Sequence, residues 1–266
     1  PWKDVGSTRQ AKQELSQLME ADAGEDLFIT PKPVKLLKRV LQIGASKDAL
    51  VLDFFAGSGT TQHAAYALNA EDGGNRRCIL VQLPEPLTDA SPRGFKSIAD
   101  ITRDRIRRAG ESCKHLETGK QQDVGFRTFK LDTSNIRAWK PNGNDLKTSL
   151  FDNLEHIEPE RSNDDVLYEV LLKLGLDLCV PMEAQQIAGK TVHSIGGGAL
   201  MTCLDAHIGV ADAEGLALGM AQWREAQGTA TETTAVFRDS AFENDVAKSN
   251  LAAILEQHGI KHVRSL

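Results

Sequence analysis

Apolar and polar positions fall at helical spacing through "STRQAKQELSQLMEA", and with Ser7 as a possible N-cap the pattern predicts a helix there. In "LFITPKPVKLLKRVLQIGA", Pro31 and Pro33 forbid a helix interior but suit an extended lead into one. Val34, Leu37, Val40 and Leu41 recur at i, i+3, i+6 and i+7. They predict a second helix with Lys35, Lys38 and Arg39 outside, stopped by Gly44. "ALVLDFF" is short and continuously apolar, which reads as a strand buried on both faces of a parallel sheet. A helix over "TTQHAAYALNA", a buried strand over "RRCILVQL" (76–83), a helix over "FKSIADITRDRIRRA" (95–109) and an alternating strand over "GFRTFKLD" (125–132) follow. Strand, helix, strand, helix, strand is half of a doubly wound sheet.

The turn-rich, acidic stretch 138–165 marks a boundary, so two domains are expected, 1–140 and 141–266. Beyond it, "DVLYEVLLKLGLDL" reads as a helix and "TVHSIGGGALMTCLD" as two strands joined at Gly196–Gly198. "AEGLALGMAQWREA" is helical, "TTAVFRD" a strand, "FENDVAKSNLAAILEQHG" a helix ended by Gly259, and "HVRSL" a last strand. That order describes a smaller α/β domain.

Charge sharpens the division. The net charge of −6 splits into 22 basic against 18 acidic residues over 1–140 and 9 against 19 over 141–266. The first half can face a polyanion, whereas the second is a poor surface for nucleic acid and suits solvent or protein. A hydrophobic content of 41% in 266 residues is ample for a real core. No run approaches a membrane span and the first residues do not resemble a signal peptide, so a cytoplasmic protein is expected. Cys78, Cys113, Cys179 and Cys203 form no C-x-x-C pair, which predicts reduced thiols, and no metal site is expected.

Candidate chemistry concentrates in "VLDFFAGSGTT", where a strand delivers Asp53 just before Gly57-Ser58-Gly59 and a helix. Backbone N–H groups and a helix N-terminus then sit beside any ligand. Gln62 stands where a dinucleotide fingerprint has its third glycine, and no lysine follows as in a P-loop. A carboxylate before the glycines suits a cationic ligand. The arginines of the 95–109 helix are read as a solvated face rather than a phosphate site, "IGGGA" as a hairpin turn, and "VFRDSAF" as a structural turn or subunit contact.

"DFFAGSGTT" resembles the S-adenosylmethionine motif of the DNA amino-methyltransferases, and "FITPKPVKLL" resembles their T-x-K-P segment, which directly precedes the glycine turn in the circularly permuted group. "RRCILVQLPEP", "FRTFKLDTSNIRAW", "VHSIGGGALMTC" and "VFRDSAFENDVAKSNLAAILEQHGIKHVRSL" are similar to the C-terminal half of the modification (Mod) subunits of type III restriction-modification systems. The resemblance implies a partial doubly wound, Rossmann-like methyltransferase sheet plus a C-terminal α/β domain. It implies S-adenosylmethionine as cofactor, adenine N6 in a specific DNA site as acceptor (cytosine N4 being the alternative), and a Mod homodimer and a restriction (Res) subunit as partners. By the same resemblance Asp53 lies near the amino end of the methionine part, Phe54, Phe55, Ala56, Gly57, Ser58, Gly59 and Thr60 shape the pocket, and Thr30 and Lys32 close it. Gln82 stands where the family usually has an acidic residue on the ribose diol. The family's [DNS]-P-P-[YFW] segment, which presents the flipped base, has no counterpart here, since no Pro-Pro pair occurs. The expectation is therefore a chain lacking the catalytic half, inactive alone, with 141–266 as a subunit-interaction module.

Overall fold

The computed structural model describes residues 4–22, 25, 27–87, 93–115, 121–137, 156–228 and 232–266. The chain forms two compact units, Pro1–Arg127 and Thr128–Leu266, each mixed α/β.

In the first unit, α1 (Thr8–Leu18) starts where Ser7 and Gln10 cap each other: Gln10 N donates to Ser7 Oγ at 3.3 Å and Ser7 N to Gln10 Oε1 at 2.8 Å. Its buried Leu15 joins Met19, Leu27 and Ile101. Pro33 leads into α2 (Val34–Gly44), whose Val34, Leu37 and Leu41 pack on Ala64, Ala65 and Leu68 of α3 (Thr60–Asp72). Strands β1 (Leu50–Asp53) and β2 (Arg77–Leu80) pair in parallel with Leu52 opposite Ile79 and Asp53 opposite Leu80. Helix α4 (Ile98–Ser112) begins where Asp100 Oδ2 accepts from Ser97 N at 2.9 Å.

Three expectations are corrected here. β1 and β2 are buried on one face only. Val51, Cys78 and Leu80 point into the clusters beneath α3, whereas Leu50 and Leu52 are 53% and 52% exposed and Ile79 and Val81 nearly as open. Val40, assigned to the buried stripe of α2, is exposed together with Ile43. Residues 125–132 form no strand among the described residues: Tyr66 Oη ties down the Val124 carbonyl at 2.9 Å, and beyond it Phe126, Phe129 and Leu131 are exposed. Only two paired strands are thus described in the first unit.

The second unit is built on a five-stranded sheet in the order β3-β4-β5-β6-β7: β3 (Met182–Ile187), β4 (Lys190–Ile195), β5 (Leu200–Cys203), β6 (Thr234–Phe237) and β7 (His262–Ser265). The β3-β4 and β4-β5 pairs are antiparallel, the β5-β6 and β6-β7 pairs parallel. The β4-β5 turn needs left-handed backbone at Gly196, Gly197 and Gly198 in succession (φ +62°, +63° and +88°), which only glycine adopts without strain. Alternation along the strands sorts the core. Met201, Cys203, Ala235 and Phe237 face α6 (Val210–Ala226) and α7 (Asp245–Gln257), while Leu200, Val236 and Ile195 face α5 (Asn163–Lys173). The predicted helices and the hairpin of this half are present. β3 has no counterpart in the sequence reading, because four of its six residues are exposed and carry no apolar alternation. The proposed boundary stretch lies mostly outside the described residues, as do Trp2 and Trp139.

Candidate functional site

The turn between β1 and α3 forms because β1 must reverse within six residues into a helix lying on its own sheet. Gly57 and Gly59 take positive φ (+53° and +78°), and Gly59 N donates to Ala56 O at 2.8 Å. Ala56 N in turn donates to Val81 O at 3.1 Å, which clips the turn to the end of β2.

Asp53 anchors the strand side. Its Oδ1 accepts from Phe55 N at 3.1 Å and its Oδ2 from Thr61 Oγ1 at 2.5 Å. Both donors are neutral, and among the described residues no cation pairs with this carboxylate. Its full negative charge is therefore fixed in orientation and left available to a ligand. Nearby, burial and then Asp53 itself push the Cys78 thiol up to about 12, so this cysteine stays protonated.

Gln82 reaches back from the end of β2. Its Oε1 accepts from Gly57 N at 2.7 Å and its Nε2 donates to Leu83 O at 3.1 Å. The side chain expected to meet a ribose diol is thus engaged in shaping the turn. Phe54 and Phe55 are exposed, the latter 86%, while Ala56, Ser58, Gly59 and Thr60 are buried. Thr30 and Lys32 are exposed and hydrogen-bond to nothing in the turn among the described residues. Their segment nevertheless touches the turn, because a Cβ built on Gly57 would lie 3.3 Å from the Phe28 ring.

Helix α4 supplies a support that the sequence reading missed. Thr102 Oγ1 donates to Gly57 O at 2.5 Å, and Thr102 and Ile106 close over Gly59 so that a Cβ there would meet them at 3.1 and 3.3 Å. Arg105, 1% exposed, sends Nη1 to Ser58 Oγ and Thr60 Oγ1, both at 2.7 Å. The other arginines of this helix match the solvated-face reading: Arg103 pairs with Asp100, and Arg107 and Arg108 pair with Asp104. A signal for Arg105 did exist, since it falls between Ile101 and Ala109 on the helical stripe that faces the core. Behind the turn, burial and then Arg105 hold His63 down at about 4.

The other singled-out motifs are structural. "IGGGA" is the β4-β5 turn, and "VFRDSAF" carries a short 3-10 turn, Asp239–Ala241, in which Arg238 Nε donates to Ser240 Oγ at 3.1 Å and Lys248 Nζ to Asp239 at 2.5 Å. Among the described residues no group of His, Cys, Asp or Glu could hold a metal ion, and no helix is long and apolar enough to cross a membrane.

Residues 2–86, which contain the glycine turn and β2, match the DNA methylase family (N6_N4_Mtase). The chain is 39% identical over 135 residues, half of its length, to the type III restriction-modification enzyme StyLTI Mod subunit of Salmonella typhimurium. It is 33% identical over 199 residues, 74% of its length, to the EcoPI Mod subunit of Escherichia phage P1, and 41% identical over 109 residues, 40% of its length, to the type II methyltransferase M.KpnI of Klebsiella pneumoniae. These matches span 20%, 30% and 25% of the respective relatives. The chain is related to the Mod methyltransferases of type III restriction-modification systems.

Proposed function

We propose, for a chain so related, that residues 1–140 are the cofactor-binding part of a Rossmann-like methyltransferase domain, and that the chain serves a site-specific DNA adenine-N6 methyltransferase of a type III restriction-modification system. The cofactor is S-adenosylmethionine, which supplies an electrophilic methyl group when bound.

The observation that carries this reading is Asp53: a strand-end carboxylate oriented by two neutral donors, unpaired with any described cation, beside a glycine turn. Such a site fits a ligand with a cationic centre. The first turn of α3 adds backbone donors, since no side chain caps it. Gln82 and Thr102 hold the Gly57 peptide at its N–H and its carbonyl, so the turn enters the complex already ordered. Phe54 and Phe55 offer exposed aromatic surface at the rim.

These 266 residues hold no [DNS]-P-P-[YFW] segment, whose Asp or Asn and proline carbonyl would accept hydrogen bonds from the target amine and whose aromatic ring would stack on its base. The chain alone therefore binds cofactor without transferring methyl. The partners are DNA, a second Mod copy and a Res subunit, with residues 141–266 as the subunit-interaction module, and the compartment is the cytoplasm.

Equilibrium dialysis with labelled S-adenosylmethionine tests the site. The wild-type chain should bind, and Asp53→Asn should weaken binding by about tenfold or more, as expected for loss of a charge-assisted contact. Absence of wild-type binding, or an unaffected Asp53→Asn variant, overturns the reading. Methyl transfer to duplex DNA by the purified chain would overturn the assignment of the chemistry elsewhere. Sedimentation of the whole chain alone and with Res tests the module: a monomer that ignores Res removes it.

A further inference from the structure

Arg105 is the largest fully buried side chain among the described residues, and it carries a charge. Among the described residues it forms no ion pair. Its Nη1 is shared between Ser58 and Thr60, and its Nε is buried without a partner. The charge of Glu14 in α1 acts on it favourably, and Glu14 Oε2 is itself buried and unpartnered. Burial pulls the guanidinium down to about 10, against Glu14, so it remains a cation at neutral pH.

A merely structural role for this position would be met at lower desolvation penalty by an apolar side chain of similar volume. What the guanidinium adds is placement. Thr60 and Thr61 are adjacent in the first turn of α3, and Thr60 is bound to the buried cation while Thr61 is bound to the Asp53 carboxylate. A fixed negative group and a fixed positive group therefore flank one short turn. In surroundings of low dielectric their fields reach the ligand side with little screening. Ser58 and Thr60 both act as acceptors toward Arg105, which holds the turn from its buried side.

We propose that Arg105 is a positioning residue for the ligand turn, whose buried charge, acting through Ser58 and Thr60, complements the carboxylate of a zwitterionic amino-acid moiety while Asp53 complements its cationic end. This rests on the reading of the turn as an S-adenosylmethionine site. It makes the turn selective for a nucleoside that carries an amino acid over one that does not.

The test compares S-adenosylmethionine with 5′-methylthioadenosine, which lacks the amino-acid part, in dialysis with the full chain. Arg105→Met should weaken S-adenosylmethionine about tenfold while changing methylthioadenosine by less than about twofold. Arg105→Lys restores charge without the planar fork and should recover part of the selectivity. Equal losses for both ligands, or no loss, would overturn the proposal even where the melting temperature falls. If Arg105→Met does not fold, Arg105→Lys decides by the same ratio: a loss confined to S-adenosylmethionine supports the proposal, and equal affinity changes overturn it. Wild-type binding that depends on Asp53 but not on Arg105 sinks this inference alone, whereas no wild-type binding sinks the site and the inference together.

Discussion

Gln82 Oε1 accepts the Gly57 N–H at 2.7 Å, across the gap between the end of β2 and the turn that leaves β1. This bond satisfies a part-buried backbone donor that the turn itself cannot reach. Gln82→Ala should leave that donor unpaired and destabilise the first unit by about 1 kcal/mol, whereas Gln82→Glu, which keeps an acceptor, should lose less. Urea denaturation of the two variants against wild type measures the difference.

Gly59 combines φ of +78° with Thr102 and Ile106 closed over its α-carbon. Gly59→Ala should cost roughly 1–2 kcal/mol from backbone conformation, with a further loss as Thr102 is displaced from Gly57 O. Chemical denaturation reads the stability. Weakened S-adenosylmethionine binding out of proportion to the small change in side chain would report the displaced turn.

His63 contributes a pH dependence whose sign is determined. Its folded-state pKa is lowered from 6.5 to about 4 by burial and then by Arg105, so between these values the unfolded chain binds more protons than the folded one. The stability contribution is complete above pH 6.5 and is lost as pH falls toward 4, on the order of 3 kcal/mol in all. Unfolding measured at pH 7, 5.5 and 4.5 should show a shallower pH slope for His63→Gln than for wild type. Identical slopes would remove His63 as the source.

In the second unit, Gly219 of α6 lets the helix settle directly on β3: a Cβ there would stand 2.3 Å from Ile187 Cγ2. Gly219→Ala should destabilise by roughly 1–3 kcal/mol through overpacking. Because the clash is with one side chain, adding Ile187→Ala should cost less than in the wild-type background. A double-mutant cycle checks this, and strict additivity would show that the contact does not limit packing.

Some of this molecule was legible before any coordinates. Ser7, the Pro33 lead, the glycine turn after Asp53, the Gly196–Gly198 hairpin and the helices of both units are local events, specified by caps, by backbone freedom and by apolar period. Other features depend on what lies opposite. "ALVLDFF" looks buried on both sides, yet Leu50 and Leu52 face outward among the described residues, because continuous apolarity says nothing of which neighbours are present. "MEAQQI" carries no strand signal of its own, since an edge strand is defined by the hydrogen bonds it makes to β4 and not by a buried face.

The site divides in the same way. Sequence alone determined that a carboxylate, two glycines and a helix start would meet, because those residues are neighbours in the chain. Tertiary structure alone decided that Gln82 would cap Gly57 and that Arg105 would lie buried beneath Ser58 and Thr60, 47 and 45 residues away along the chain. Composition made Arg105 one more basic residue on a solvated helix. Only the packing of α4 against the turn turned that position inward, and a charge enclosed there acts on the ligand side with little solvent to screen it.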